Sequence, residues 1–306
     1  MNVFSSPSVL AAFERASYPE TRAEPGWFEL DGSVYLLPRD HRGRPVVRGR
    51  FLDFWEEADR SIARAGDVPK VRYLPRAVCN VRETDGRPEL PTGYLPAPFI
   101  RWDRFSSFGE FQALVRTRNR GGAADSRRQL RRLERELGSV EFALNDSDPA
   151  LLTACLAWKA QRYTNLERLP EDRFATDFFS RLRDDGTALF ATCRAGGRVI
   201  SVHIGLLEHG RYYYWMPAHD PSTAIYSPGR LLLEFLLEQS YQRNDEQFDF
   251  LLGDESYKWN FATDVRVVGP VGSAPKVTPK LTLARRVARA RLGTIARTWQ
   301  ARARRQ

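Results

Sequence analysis

Residues 212–244 read YYYWMPAHDPSTAIYSPGRLLLEFLLEQSYQRN, and residues 248–261 follow as FDFLLGDESYKWNF. The first stretch starts as an aromatic strand, passes through a turn rich in Pro, Ser and Gly, and becomes an apolar helix. Ser227 is placed to cap that helix, Pro228 suits its first position, and Gly229 removes a side chain where backbone would face a ligand. A helix that begins at the carboxyl end of a strand presents unpaired N–H groups and a positive dipole end to an anion, although Ser-Pro-Gly also starts helices that bind nothing. The second stretch is an apolar strand, ended by Gly253, from which Asp254, Glu255, Tyr257, Lys258 and Trp259 emerge together. Strand mouths are where scaffolds present reactive groups.

Working outward, TALFATCR, RVISVHIGLLE and RYYYWMPA read as successive strands joined by Gly-containing turns, preceded by helices over Pro149 to Tyr163 and Asp172 to Leu182. QFDFLL is the next strand and VRVVGPV the last. The helix around Leu232 is apolar almost all round and should lie against a sheet. Upstream, SRRQLRRLERELG is a helix with Ser126 as its cap, a Leu130, Leu133, Leu137 seam and Gly138 as terminator. Its Arg127, Arg128, Arg131, Arg132 and Arg135 are candidates for binding phosphate, against the plainer reading of a solvated face. FLDFWEEADRSIARAG has helical spacing, GSVYLLPRDHRGRPVVRGR suggests a hairpin, VRYLP and APFIRW suggest short strands, and Arg87 to Pro98 reads as a loop.

The order of elements is α+β, with helices covering a sheet. The combination of aromatic strand, Tyr-x-Pro-Gly helix start and D-F-x-x-G-D-x-x-Y-K resembles the BioF-like, CelD-associated branch of the GNAT acetyltransferases, relatives of the FemAB peptidyltransferases. The resemblance covers about residues 126–270. It implies an acyl-CoA N-acyltransferase fold in tandem units: a degenerate first unit over 1–139, the acyltransferase domain over 140–275, and a tail over 276–306. It also implies acyl-CoA as donor, an amine as acceptor, and a cofactor site at the splay of two parallel strands made by Tyr226, Ser227, Gly229, Arg230 and Lys258. The usual pyrophosphate loop of that superfamily is Gln or Arg, two residues, Gly, one residue, then Gly or Ala; Tyr226 to Arg230 departs from it. FemAB relatives take aminoacyl-tRNA, so that donor is the alternative, and a silent scaffold of a polysaccharide-synthesis complex is the alternative from another class.

Amine acylation needs a base for the ammonium proton and an acid for the departing thiolate. Asp254 or Glu255 are candidates for the base and Tyr257 for the acid. His203 is a second base candidate, since period-two alternation sets Ser201, His203 and Gly205 on one face of their strand; the plainer reading is a structural histidine. Lys258 either contacts an anion or packs at the strand end with its head at the surface. Lys159 and Arg162, three apart on a helix, share a face and are candidates for gripping an acidic acceptor, against the plainer reading of a solvated pair.

Length and charge fit this picture. At 306 residues, 42% hydrophobic and 12% aromatic, the chain can fill more than one ordinary core. The net charge of +9 is a property of the tail. Lys276, Lys280, Arg285, Arg286, Arg289, Arg291, Arg297, Arg302, Arg304 and Arg305 stand there with no acidic residue, which leaves 37 basic against 38 acidic residues elsewhere. No nucleic-acid partner is therefore expected, unless tRNA is the donor. Arginine outnumbers lysine 42 to 5, so Lys159 and Lys258 stand out. Cys79, Cys155 and Cys193 suggest neither a disulfide framework nor a zinc site, the four histidines are not spaced for a metal, and no metal is expected. Nucleophile-elbow, P-loop, dinucleotide-loop and HExxH motifs are absent. With no apolar run of membrane-spanning length and no signal-like start, a soluble cytoplasmic protein is expected, peripheral to the inner membrane if the tail binds it. On a helical wheel Leu281, Ala284, Ala288, Leu292, Ile295 and Trp299 fall opposite Arg286, Arg289, Arg297 and Arg304, the pattern of an amphipathic segment on an anionic surface; a frayed or self-docked terminus is the alternative.

Overall fold

The computed structural model describes residues 3–273 apart from 21–23, 60, 62–67 and 164–165; the basic tail lies outside the described residues. The chain opens with α1 (Pro7–Ser17), capped by Ser6 Oγ accepting from Val9 N–H, and with a hairpin of β1 (Gly26–Leu30) and β2 (Ser33–Leu37). Asp31 and Gly32 form its turn with φ of 50° and 88°, the two positive values that a tight hairpin turn requires. The strand SVYLL thus pairs backwards onto GWFEL. The later reversal expected from the sequence is reduced to one bridge between Arg39 and Pro45, closed by the Asp40 carboxylate accepting from Arg42 and Arg44 N–H.

An eight-stranded sheet forms the body. Its members are β3 (Tyr73–Glu83), β4 (Leu95–Arg101), β5 (Val140–Ala143), β6 (Ala188–Ala195), β7 (Arg198–Glu208), β8 (Arg211–His219), β9 (Gln247–Asp249) and β10 (Asp264–Gly272), in the spatial order β3-β10-β4-β9-β8-β7-β6-β5. All neighbours are antiparallel except β8 and β9. Strands from both ends of the chain interleave, since β4 lies between β10 and β9.

Helices cover both faces. The remaining ones are α2 (Phe108–Arg118), α3 (Gly122–Leu137), α4 (Leu151–Arg162), α5 (Arg173–Asp184) and α6 (Pro228–Gln242). One core joins α1, α4 and α5 to Val202, Ile204 and Leu206 of β7; the other joins α2, α3 and α6 to Tyr212, Tyr214 and Phe248. The period-two reading of β7 holds, with His203 facing the second core. The α6 helix buries Leu231, Leu232, Leu233, Leu236 and Leu237, as its apolar circumference implies.

Four readings need correction. Residues 51–59 contain no helix: Phe54 and Trp55 are both buried, and the backbone makes bridges from Trp55 to Ala77 and from Ala58 to Val34. Backbone pairing to Ala77 and Val34, which lets the extended chain bury aromatics on both of its sides, overrides the three-and-four spacing. The α3 helix begins four residues before Ser126, whose hydroxyl donates to Gly122 O and to Glu234 instead of capping. The α2 helix, capped by Ser107, is absent from the sequence reading. Finally, QFDFLL is a strand only over Gln247–Asp249.

Candidate functional site

β8 and β9 run together for three residues, Arg211 to Tyr213 against Gln247 to Asp249, and then part. The reason is local. The Asp249 carboxylate accepts from Leu251 N–H at 2.8 Å and Leu251 takes φ 57°, so the chain leaves its strand; from there Phe250 N–H and Gly253 N–H bond Pro98 O and Pro96 O of β4, not β8. β8 departs as well. Its pairing with β7 shifts between Ile204 and Leu206, an extra residue that turns the adjacent Trp215 and Met216 into the same core. Among the described residues the edge of β8 from Tyr214 to His219 has no strand partner on this side, which is the backbone arrangement a ligand can complete.

The rim of the gap is the 254–260 turn. Gly253 has φ 134°, and a Cβ there would sit 2.2 Å from Glu255 Oε2, so the tight reversal demands glycine. Lys258, only 4% exposed, donates to Leu252 O at 3.0 Å and pairs with Glu255 at 2.9 Å. Asp254 is occupied on both oxygens, by Arg87 and by Trp259 Nε1 at 3.0 Å. Tyr257 sets its ring edge-on to Phe250, and burial pushes its hydroxyl above the ordinary phenol range. It is a proton donor that stays protonated at neutral pH.

His203 lies under this rim at 1% exposure, stacked 4.3 Å from Tyr214. Its Nε2 accepts from Trp215 N–H at 3.1 Å, which places the remaining proton on Nδ1, bonded at 3.0 Å to the Tyr212 hydroxyl. Burial, aided by the Lys159 charge, drops its pKa well below the usual value. A neutral ring with both nitrogens engaged holds the β8 bulge in place and has no free nitrogen for a substrate proton.

The α4 helix closes the other side. Lys159 is half-buried and held below the usual lysine range by desolvation, with Arg162 and Lys258 adding repulsion. Lys159 and Arg162 flank the exposed Tyr163 ring at 5.5 Å and 5.7 Å. The fields of Arg162 and Tyr163 reach both Tyr214 and Tyr257. Lys159, Arg162, His203, Glu255, Tyr257 and Lys258 thus converge from three elements, α4, β7 and the 254–260 turn, although they span a hundred residues of sequence.

The helix start is arranged differently from expectation. Ser227 has left-handed φ 53° and ψ 46°, and its hydroxyl makes no capping bond; its carbonyl accepts from Arg230 and Leu231 N–H. The single turn Pro221–Tyr226, capped by Asp220, runs straight into α6 and forces that conformation. Tyr226 donates to Glu136 at 2.8 Å and Arg230 pairs with Glu234 at 3.1 Å. Both face α3, away from the gap. Gly229 faces it: a Cβ there would lie 3.5 Å from His219 Nδ1.

Two further groups belong to the site. His219 ends β8 beside Gly229, and its place directly after the aromatic strand was a usable signal. Asp53 approaches Lys258, and burial raises its carboxyl to about 6 against the pull of Lys258 and Arg76. It sits in the segment misread as helix, and nothing local points to it.

Residues 120–259 match the family described as acetyltransferase (GNAT) domain. The matched stretch carries the GNAT fold, on the large mixed sheet. No curated protein matches the chain. Among solved structures, FemX is similar at 9% identity and TM-score 0.48 over 88% of this chain and 95% of that one. L-PGS from Bacillus licheniformis is similar at 11% and 0.46 over 94% and 98%. A conserved protein of unknown function from Bacteroides thetaiotaomicron is similar at 11% and 0.38 over 65% of this chain, which spans 62% of that protein's length.

Proposed function

We propose that the GNAT domain moves an acyl group from acyl-CoA to an amine on a small or lipid-linked precursor of the cell envelope or of a polysaccharide, and that it belongs to the BioF-like, CelD-associated branch. The observation that carries this reading is the gap between β8 and β9, with an unpaired strand edge on one side, the start of α6 at its mouth and a proton-bearing rim above it. GNAT domains take acyl-CoA as donor. In this chain the β8 edge from Tyr214 to His219 would hold the pantetheine arm, and the α6 start at Ser227 to Arg230, with Gly229 facing the gap, would receive the diphosphate. When bound, the donor supplies an activated thioester.

The chain's own groups then divide the proton work. Glu255, paired to Lys258 through one oxygen and 57% exposed at its side chain, takes the ammonium proton. Tyr257 gives its proton to the thiolate. Asp254, tied to Arg87 and Trp259, fixes the turn. Lys258 orients Glu255, and His203 fixes the bulge behind the site. We read residues 1–139 as the remnant first unit, 140–275 as the acyltransferase unit and 276–306 as a basic tail.

Thermal shift with a panel of acyl-CoAs tests the donor. At 100 times its dissociation constant a true donor adds about 2.7 kcal/mol. A shift with charged tRNA and none with any CoA ester would establish the FemAB-like alternative, and no shift with either would favour a scaffold. Among the described residues no helix is long and apolar enough to cross a membrane. For the tail we propose peripheral contact with the inner membrane face. Full-length protein should co-sediment with anionic liposomes at low salt, release at high salt, and lose binding when cut after Thr278; equal behaviour of the cut and intact chains would sink the anchor.

A further inference from the structure

We propose that the cavity between α4 and the carboxyl end of β8 is an acceptor subsite for a carboxylate or phosphate carried on the same molecule as the reacting amine. The inference rests on the acyl-transfer reading above and adds the chemical class of the acceptor. The cavity has a volume of about 410 Å³ and is lined by Lys159, Arg162 and Trp158 of α4, by Pro217 and His219 of β8, and by Ala224. Its titratable lining is cationic or imidazole; among the described residues no carboxylate lines it.

Half-buried Lys159 lacks the acidic partner that the cations packed into the sheet have. Arg266 is held by Asp249 and Glu56, Arg211 by Glu56, and Arg194 by Asp146 and Asp148. Among the described residues Lys159 and Arg162 make no ion pair and no hydrogen bond through their side chains; each touches only the Tyr163 ring as a cation over an aromatic face. Positive charge in the last turn of α4 complements the helix dipole. That accounts for the sign of the charge, and not for drawing an ammonium out of water, which costs free energy until an anion answers it. His219 adds a third group, half-buried beside Arg162.

Position supplies the rest. The Lys159 charge is felt by His203 on one side and lies in the field of Glu255 and Lys258 on the other. An anion bound between Lys159, Arg162 and His219 is therefore anchored next to the rim where an amine must lose its proton. Tyr163, 42% exposed, stands at the entrance as a flat surface for the body of such a molecule.

The test uses the full chain, acetyl-CoA and paired amines: an amino sugar against its phosphate ester, and an amino acid amide against the free amino acid. The anionic member of each pair should be acylated with kcat/KM at least about tenfold higher. Lys159→Gln and Arg162→Gln should each raise KM for that member by about 10- to 100-fold while KM for acetyl-CoA stays put, and Lys159→Arg should restore part of the loss. Inorganic phosphate should compete with the amine and not with acetyl-CoA. Equal use of both members with equal response to the variants overturns the subsite, and phosphate competing with acetyl-CoA alone reassigns the cavity to the donor's diphosphate. Should no amine be acylated at all, the acyl-transfer reading fails separately. Calorimetry with inorganic phosphate then decides the anion site: binding lost in Arg162→Gln supports it, and binding unchanged in both variants overturns it.

Discussion

Asp53 and Tyr257 show how single side chains at the rim set measurable properties. Burial lifts the Asp53 carboxyl from the ordinary 3.8 to about 6. The folded state therefore holds this proton more tightly than the unfolded chain, a contribution fully present below about pH 4 and lost as pH rises through 6. Asp53→Asn should be the stabler protein at pH 8 by about 3 kcal/mol and should lose most of that advantage at pH 4; urea melts at the two pH values measure it, and parallel curves would mean the carboxyl is solvated. Tyr257→Phe and Glu255→Gln should each lower turnover by about 10²- to 10⁴-fold with nearly unchanged melting temperature. Asp254→Asn, which removes an anion from Arg87 at an exposed site, is expected to act through the shape of the turn, with loss of stability accompanying loss of rate. The rim residues were legible because five capable side chains crowd one strand end. Asp53 was not, because its partner Lys258 is 205 positions away and no periodicity encodes that contact.

At the scale of elements, two backbone positions of positive φ border the gap, Ser227 at the start of α6 and Gly253 at the rim, and each can be tested by substitution. The left-handed Ser227 stores about 1 kcal/mol, so Ser227→Gly should raise the melting temperature slightly, whereas a β-branched residue there should lower it. Gly253→Ala meets both an unfavourable φ and the Glu255 carboxylate; it should cost about 1–3 kcal/mol and separate Glu255 from Lys258. A calorimetric melt of each variant measures both effects. β6, β7, β8 and α6 were legible from sequence because their alternation or apolar circumference is long and their turns carry glycine. The end of β9 was not. FDFLL reads as continuous strand, and only the Asp249 side chain folding back on Leu251 N–H stops it.

For the whole molecule, the sheet is held across its middle by a buried charge cluster. Asp249 is fully buried and 2.8 Å from Arg266, which also pairs with Glu56 and lies 3.9 Å over the Phe99 ring. This cluster ties β9, β10 and the segment before β3 together. Arg266→Met leaves the acidic partners without their shared cation and should destabilise the fold by about 3–5 kcal/mol, read as a drop in the urea midpoint; Asp249→Asn in the same background should recover part of it. The three cysteines give the molecule a built-in clock. Cys79 is exposed, whereas Cys155 and Cys193 are buried and pushed up to about 12. Cys155 Sγ lies 3.6 Å from Met216 O, across the seam between α4 and β8. A thiol reagent should modify Cys79 at once and Cys155 only when that seam opens. The slow modification rate of a Cys79→Ser, Cys193→Ala chain thus times the breathing of the seam between α4 and β8, and needs no substrate to read it.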